Sequence, residues 1–210
     1  MRRIMIMIGA ALILSTAAFS TADAQQTAIF GFAQSWVDAQ ADFKAYDEVY
    51  FRNVDLRGMS VKVYDSDGDL VQDRISQDTM QQLGLTIFRG FVEQLQGVVT
   101  VNMEDLEVKD LKARKFLVVD LKISGTYETQ EDRLLMKMIK GSAKPPLSLS
   151  LEGKVLDSVT EKEVITFSDQ KDIAEISDTP FEASEDIEKF SDLVGQWASY
   201  LKDFFAKKRK

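Results

Sequence analysis

Carboxylates, lysines, tyrosines and serines carry the chemistry open to this chain, and the carboxylates are the ones that cluster. Three groups stand out: Asp65, Asp67 and Asp69; Glu104, Asp105 and Glu107; and Glu182, Glu185 and Asp186. Two carboxylates about 5 to 9 Å apart suffice to hydrolyse a glycosidic bond, so a cell-wall glycosidase is the enzyme this composition permits. The second and third groups fall at the ends of expected elements, where acidic residues usually sit in water or oppose a helix dipole. The first has the spacing of a calcium loop but not its frame. Counted from Asp65, an EF-hand needs Gly at position 6 and Glu at 12; Gly68 comes too early and Ser76 occupies the last position. An Asp-Gly hairpin turn accounts for the run more simply, and no metal site is expected.

Composition removes most other mechanisms. The 210 residues include no cysteine and no histidine. Ser-His-Asp triads, Cys-His pairs and histidine-based zinc sites are excluded by count, and no cofactor is expected. Disulfide stapling is excluded too, so stability must come from a packed core. The net charge is −8. Such a chain, with no basic stripe, is a poor match for nucleic acid phosphates.

The first 24 residues read as a secretory leader. Arg2 and Arg3 precede an apolar run from Ile4 to Leu14, and Ala22-Asp23-Ala24 supplies a small-x-small cleavage site. The run is shorter than the roughly 20 apolar residues a membrane span needs. Cleavage after Ala24 and a periplasmic address are the expectation. Residues 25–44 follow as an aromatic-rich lead-in without a clear period, and 45–210 as a single domain.

Within that domain the patterns alternate between strand and helix. Tyr46 to Leu56 reads as a strand, with Val49 and Phe51 on one face and Tyr50, Val54 and Leu56 on the other. Met59 to Val71 reads as a hairpin around Asp65–Asp69. From about 76 to 96, Met80, Leu83, Ile87, Phe88, Phe91 and Leu95 form one helical stripe, with Ser76 placed to cap it and Gly97 to close it. Gly84 and Gly90 inside this helix point to close packing on a sheet. Val98–Met103, Phe116–Tyr127, Leu147–Val155 and Glu163–Phe167 are further strands, with an insertion at 128–146. A second helix, about 184 to 206, carries Ile187, Phe190, Val194, Trp197, Leu201 and Phe204 on one stripe, with Ser184 as its expected cap. The order predicts an α+β fold, a two-layer α/β sandwich whose antiparallel or mixed sheet carries both helices on one face.

Two places offer a docking surface. In the insertion, Leu134, Leu135, Met138 and Ile139 make one apolar edge of a short helix, where adaptable Met side chains suit a protein partner. The simpler alternative is that this edge packs back on the sheet. Trp36 is the second candidate, because its position in the lead-in leaves room for a surface role, whereas Trp197 lies in a core stripe. At the C-terminus, Phe204-Phe205 followed by Lys207-Lys208-Arg209-Lys210 would give at most a weak peripheral contact with an anionic membrane. Those cations also simply oppose a helix dipole.

Three segments together carry a resemblance: Trp36 through Asp42-Phe43-Lys44-Ala45-Tyr46 into Val49–Val54; Gly153-Lys154-Val155-Leu156-Asp157-Ser158-Val159-Thr160; and the closing helix with Trp197. They resemble an uncharacterised family of bacterial envelope proteins, many of them lipoproteins. The resemblance implies a Gram-negative periplasmic address, an α/β sandwich and no catalytic residue. The chain departs from it by lacking the lipobox cysteine, and with it the lipid anchor. A non-catalytic protein that binds envelope proteins or its own copies ranks first on these grounds. A carboxylate-based hydrolase and a small-ligand or lipid-binding module rank behind it.

Overall fold

The computed structural model describes residues 29–46, 48–64, 67, 69–72, 75–102, 115–130, 147–174, 176, 181 and 183–209. The strands are β1 (Gln34–Val37), β2 (Glu48–Tyr64), β3 (Leu70–Gln72), β4 (Thr100–Asn102), β5 (Leu117–Gln130), β6 (Leu147–Asp157) and β7 (Glu163–Ile173). Among the described residues the α-helices are α1 (Gln77–Leu95) and α2 (Ser184–Lys208). The strands form one mixed sheet in the order β1-β7-β6-β5-β2-β3, with β4 also beside β2. β2 runs parallel to β4 and β5, and the other pairings are antiparallel. The fold is α+β, as the order of elements predicts.

Both helices cover one face, because each presents a single apolar stripe that must be buried. Leu83, Ile87, Phe91 and Leu95 of α1 are fully buried, as are Phe190, Val194, Trp197 and Leu201 of α2. Phe51 of β2 packs against Phe88 and Phe91 at centroid distances of 6.2 and 5.7 Å. The glycines divide the work differently from the expectation. Gly84 faces Leu56 of the sheet, but Gly90 faces α2: a Cβ there would lie 2.8 Å from Val194 Cγ1. Gly90 therefore lets the two helices approach each other.

Both ends of α1 are built as the sequence predicts. Ser76 accepts a hydrogen bond from the Thr79 amide at 3.1 Å, and Gly97 turns the chain at φ +91°. The start of α2 differs. Ser184 is its first residue rather than its cap, and Ala183 in the cap position makes no side-chain bond. Instead Asp186, one turn in, accepts from the Phe181 amide at 3.1 Å. This bond ties the incoming segment to the first turn; it does not cap the amides of that turn.

Two strand expectations change. The lead-in holds β1, which pairs with β7 from Gln34↔Ser168 to Val37↔Ile165; four residues are too few to show a period. The two strands read around Leu56 are one long β2 with irregular pairing at Arg52 and at Leu56-Arg57. Each bulge slips the alternation by one residue. Val54 and Leu56 thereby return to the helix-covered side with Val49 and Phe51. The same bulges break the regularity of an edge that is otherwise uncovered, among the described residues, between β4 and β3.

Candidate binding groove on the open sheet face

Alternation along the strands sends their other side chains to the face opposite the helices. Strand register sets these in cross-strand rows. One runs Trp36, Thr166, Lys154, Asp120; the next runs Gln34, Ser168, Glu152, Lys122, Asp55. Most polar groups on this face are satisfied by one another. Arg52 Nε donates to Asp120 at 3.0 Å, Lys122 pairs with Glu152 at 3.2 Å and Lys154 with Glu163 at 2.5 Å. Ser60 bonds Thr126 at 3.1 Å, and the Gln170 amide donates to Ser148 at 2.8 Å.

The corner at β1 is different. A groove of about 560 Å³ runs there, lined by Gln34, Trp36, Glu152, Lys154, Thr166 and Ser168. Among the described residues, the side chains of Gln34, Trp36, Thr166 and Ser168 have no hydrogen-bond partner. The partly buried Trp36 ring is the only aromatic side chain in this lining that faces outward, since Phe167 points to the helix side.

The floor under Trp36 is held from the opposite side. Gly153 has no side chain, so the Phe167 ring of the neighbouring strand lies across it. Phe167 stacks on Phe32 at 4.5 Å, and Phe32 meets the edge of Tyr200 on α2 at 5.3 Å. The Ile29 amide donates to Ser35 Oγ at 2.7 Å, and the Asp38 amide to the Val164 carbonyl at 2.9 Å. A four-residue edge strand is thus fixed at both ends, which holds the indole against the groove.

A second cavity, about 730 Å³, lies where α1 ends beside β4, lined by Val92, Val98, Val99, Val101 and Arg209. Its cation is already engaged, since Arg209 Nη1 donates to the Val98 carbonyl at 2.6 Å. The Gln96 and Thr100 side chains in its lining are uncommitted too, but the groove at Trp36 alone of the two sets an aromatic ring beside such groups.

The remaining candidates are placed as follows. Leu134, Leu135, Met138 and Ile139 lie outside the described residues, as do Glu104, Asp105, Glu107, Glu182, Asp65 and the leader. Asp186 is buried and bonded to the Phe181 amide, whereas Glu185 is exposed and pairs with Lys189 at 3.0 Å. Phe204 and Phe205 are buried rather than offered to a membrane, and Lys208 lies 6.0 Å from the centre of the Phe204 ring. Among the described residues no cluster of three acidic groups could hold a metal, and no helix is long and apolar enough to cross a membrane. Gln34, Thr166 and Ser168 were not legible as site residues. Alternation places Gln34 beside Trp36, but only the β1–β7 register brings in the two hydroxyls.

No family model and no curated protein sequence matches this chain. Several solved structures have a similar course. One is protein XCC0632 from Xanthomonas campestris, labelled family-model DUF330: 13% identity, 80% of this chain, 89% of that one, TM-score 0.45. Another is the PelC dodecamer from Paraburkholderia phytofirmans: 8% identity, 80% and 95% coverage, TM-score 0.40. A third is a neuraminyllactose-binding hemagglutinin homolog from Helicobacter pylori: 10% identity, 78% and 88% coverage, TM-score 0.42. At these identities and scores no residue role transfers to this chain.

Proposed function

We propose that this protein is a non-catalytic binding module that works outside the cytoplasm, where its leader-like first 24 residues would send it, and that the groove at Trp36 is its recognition surface. The observation that carries this reading is the contrast within one sheet face. Across much of the face the polar side chains bond to each other, with isolated exceptions at Ser124, Ser150 and Asp172; around Trp36 four neighbouring polar groups, one of them on an aromatic ring, are left to meet something else. Partly buried Trp with a free indole N–H is the kind of group that binding surfaces use, one end apolar and the other wet.

The catalytic alternative finds less support. Of the carboxylates considered for hydrolysis, the two that lie among the described residues are engaged: Asp186 accepts from the backbone and Glu185 forms an ion pair. A lipid cavity between helices and sheet would need space that Phe91, Phe190 and Trp197 fill.

The test is cosedimentation of the purified protein with insoluble cell-envelope material. Wild type is expected to sediment and Trp36→Ala to stay in solution, with unchanged far-UV circular dichroism. Equal sedimentation of both would overturn the assignment of the groove.

A further inference from the structure

We infer that the groove takes a neutral sugar chain, an inference that rests on the binding role proposed above. The uncommitted groups define the ligand chemistry. The indole N–H is a donor, the Gln34 amide offers donors and an acceptor, and the Thr166 and Ser168 hydroxyls act as both. All four can donate, and the Gln34 carbonyl can only accept, so a ligand that satisfies every one of them must itself both accept and donate. Hydroxyls do so; carboxylates and ammonium ions do only one of the two.

Charge points the same way. The two ionic residues in the lining are neutralised on the protein, Lys154 by Glu163 and Glu152 by Lys122. Neither therefore offers an unpaired charge to an ionic ligand, and desolvating neutral groups costs far less than desolvating a charge. The Trp36 face then calls for a flat apolar patch on that same polar molecule. A sugar ring supplies one on its C–H face while its hydroxyls radiate at the rim. Finally, the groove is open along the strands β1, β7 and β6 rather than closed, so it admits a chain as readily as a single ring.

The full chain would be titrated with maltotetraose, cellotetraose and chitotetraose, following the Trp36 indole N–H by nitrogen-15 NMR. An acidic galacturonate tetramer and a neutral tetrapeptide serve as comparison probes. The expected result is a shift of Trp36 with at least one neutral sugar, unchanged by raised ionic strength. By isothermal titration calorimetry with the sugar that shifts Trp36, Trp36→Ala should weaken binding at least about tenfold, and Ser168→Ala should weaken it less, with both variants folded. If only the acidic tetramer or the peptide moves Trp36, the sugar assignment is overturned while the groove stands. If no probe moves Trp36 but cosedimentation still depends on it, the sugar assignment is again overturned and the groove again stands. If neither probe binding nor cosedimentation depends on Trp36, both fall.

Discussion

The Tyr46 hydroxyl donates to Asp157 Oδ2 at 2.5 Å, joining residues 111 positions apart. The other carboxylate oxygen accepts from the Val159 and Thr160 amides at 2.8 and 2.7 Å. Next to it the Phe116 amide donates to Ser158 Oγ, and the Ser158 amide to the Phe116 carbonyl, each at 3.0 Å. Asp42 caps the short turn Phe43–Ala45 that delivers Tyr46 to this point. One tight turn after β6 thus ties down both the entry to β2 and the start of β5.

This latch makes stability depend on pH at both ends. Burial alone would raise the Asp157 pKa, but the bonds from Tyr46, Thr160 and Val159 outweigh it and the net shift is downward. Its contribution is present above the ordinary carboxylate value of about 4 and fades as pH falls through the lowered one. Burial and the Asp157 bond raise the Tyr46 pKa, so its contribution holds below about pH 10 and fades above it. Tyr46→Phe leaves a buried carboxylate oxygen unpaired and should cost about 2 kcal/mol at neutral pH. Urea denaturation across pH should show the gap between wild type and variant narrowing toward both extremes.

Trp197 donates its indole N–H to Asp169 Oδ2 at 2.8 Å inside the helix–sheet layer, and Lys171 lies 3.6 Å from the same oxygen. Trp197→Phe removes the donor and leaves volume empty around a buried charge, at an expected cost of about 3 kcal/mol. Asp169→Asn keeps an acceptor for the indole and should cost about 1 kcal/mol. Denaturation midpoints at constant m-value distinguish the two.

The two glycines of α1 should respond to alanine with opposite signs. At Gly84 the nearest atom to an added Cβ is Leu56 Cδ1 at 3.9 Å, so Gly84→Ala should stabilise by about 0.5–1 kcal/mol through helix propensity. At Gly90 the added methyl meets Val194 at 2.8 Å, and a stiff β-branched side chain gives way poorly. Gly90→Ala should destabilise by about 1–2 kcal/mol despite the propensity gain, and adding Val194→Ala should recover part of the loss. Thermal melts of the three variants check this.

Much of the fold was written in local patterns. The stripes from Leu83 to Leu95 and from Phe190 to Phe204 are periodic over many turns, and they are buried as read. The bulges in β2 were not read: strict alternation sets Val54 and Leu56 opposite Phe51, whereas the core-facing positions step by three from Phe51 to Val54 and from Leu56 to Met59. The segment at Asp42–Tyr46 and the one at Asp157–Thr160 were visible separately, while their meeting depends on β5 and β6 lying between them. The groove was half legible for the same reason. Trp36 could be singled out by type and position, but Thr166 and Ser168 reach it through strand pairing across more than a hundred residues, which no local pattern encodes.

The central claim, that Trp36 is where this molecule meets its ligand, can be tested with an internal control. The chain has two tryptophans, and the indole N–H of Trp197 is buried and bonded to Asp169. In a nitrogen-15 NMR titration with solubilised envelope material, the Trp36 indole signal should shift or broaden while that of Trp197 stays in place. An unmoved Trp36 signal under conditions where the protein demonstrably binds would contradict the account.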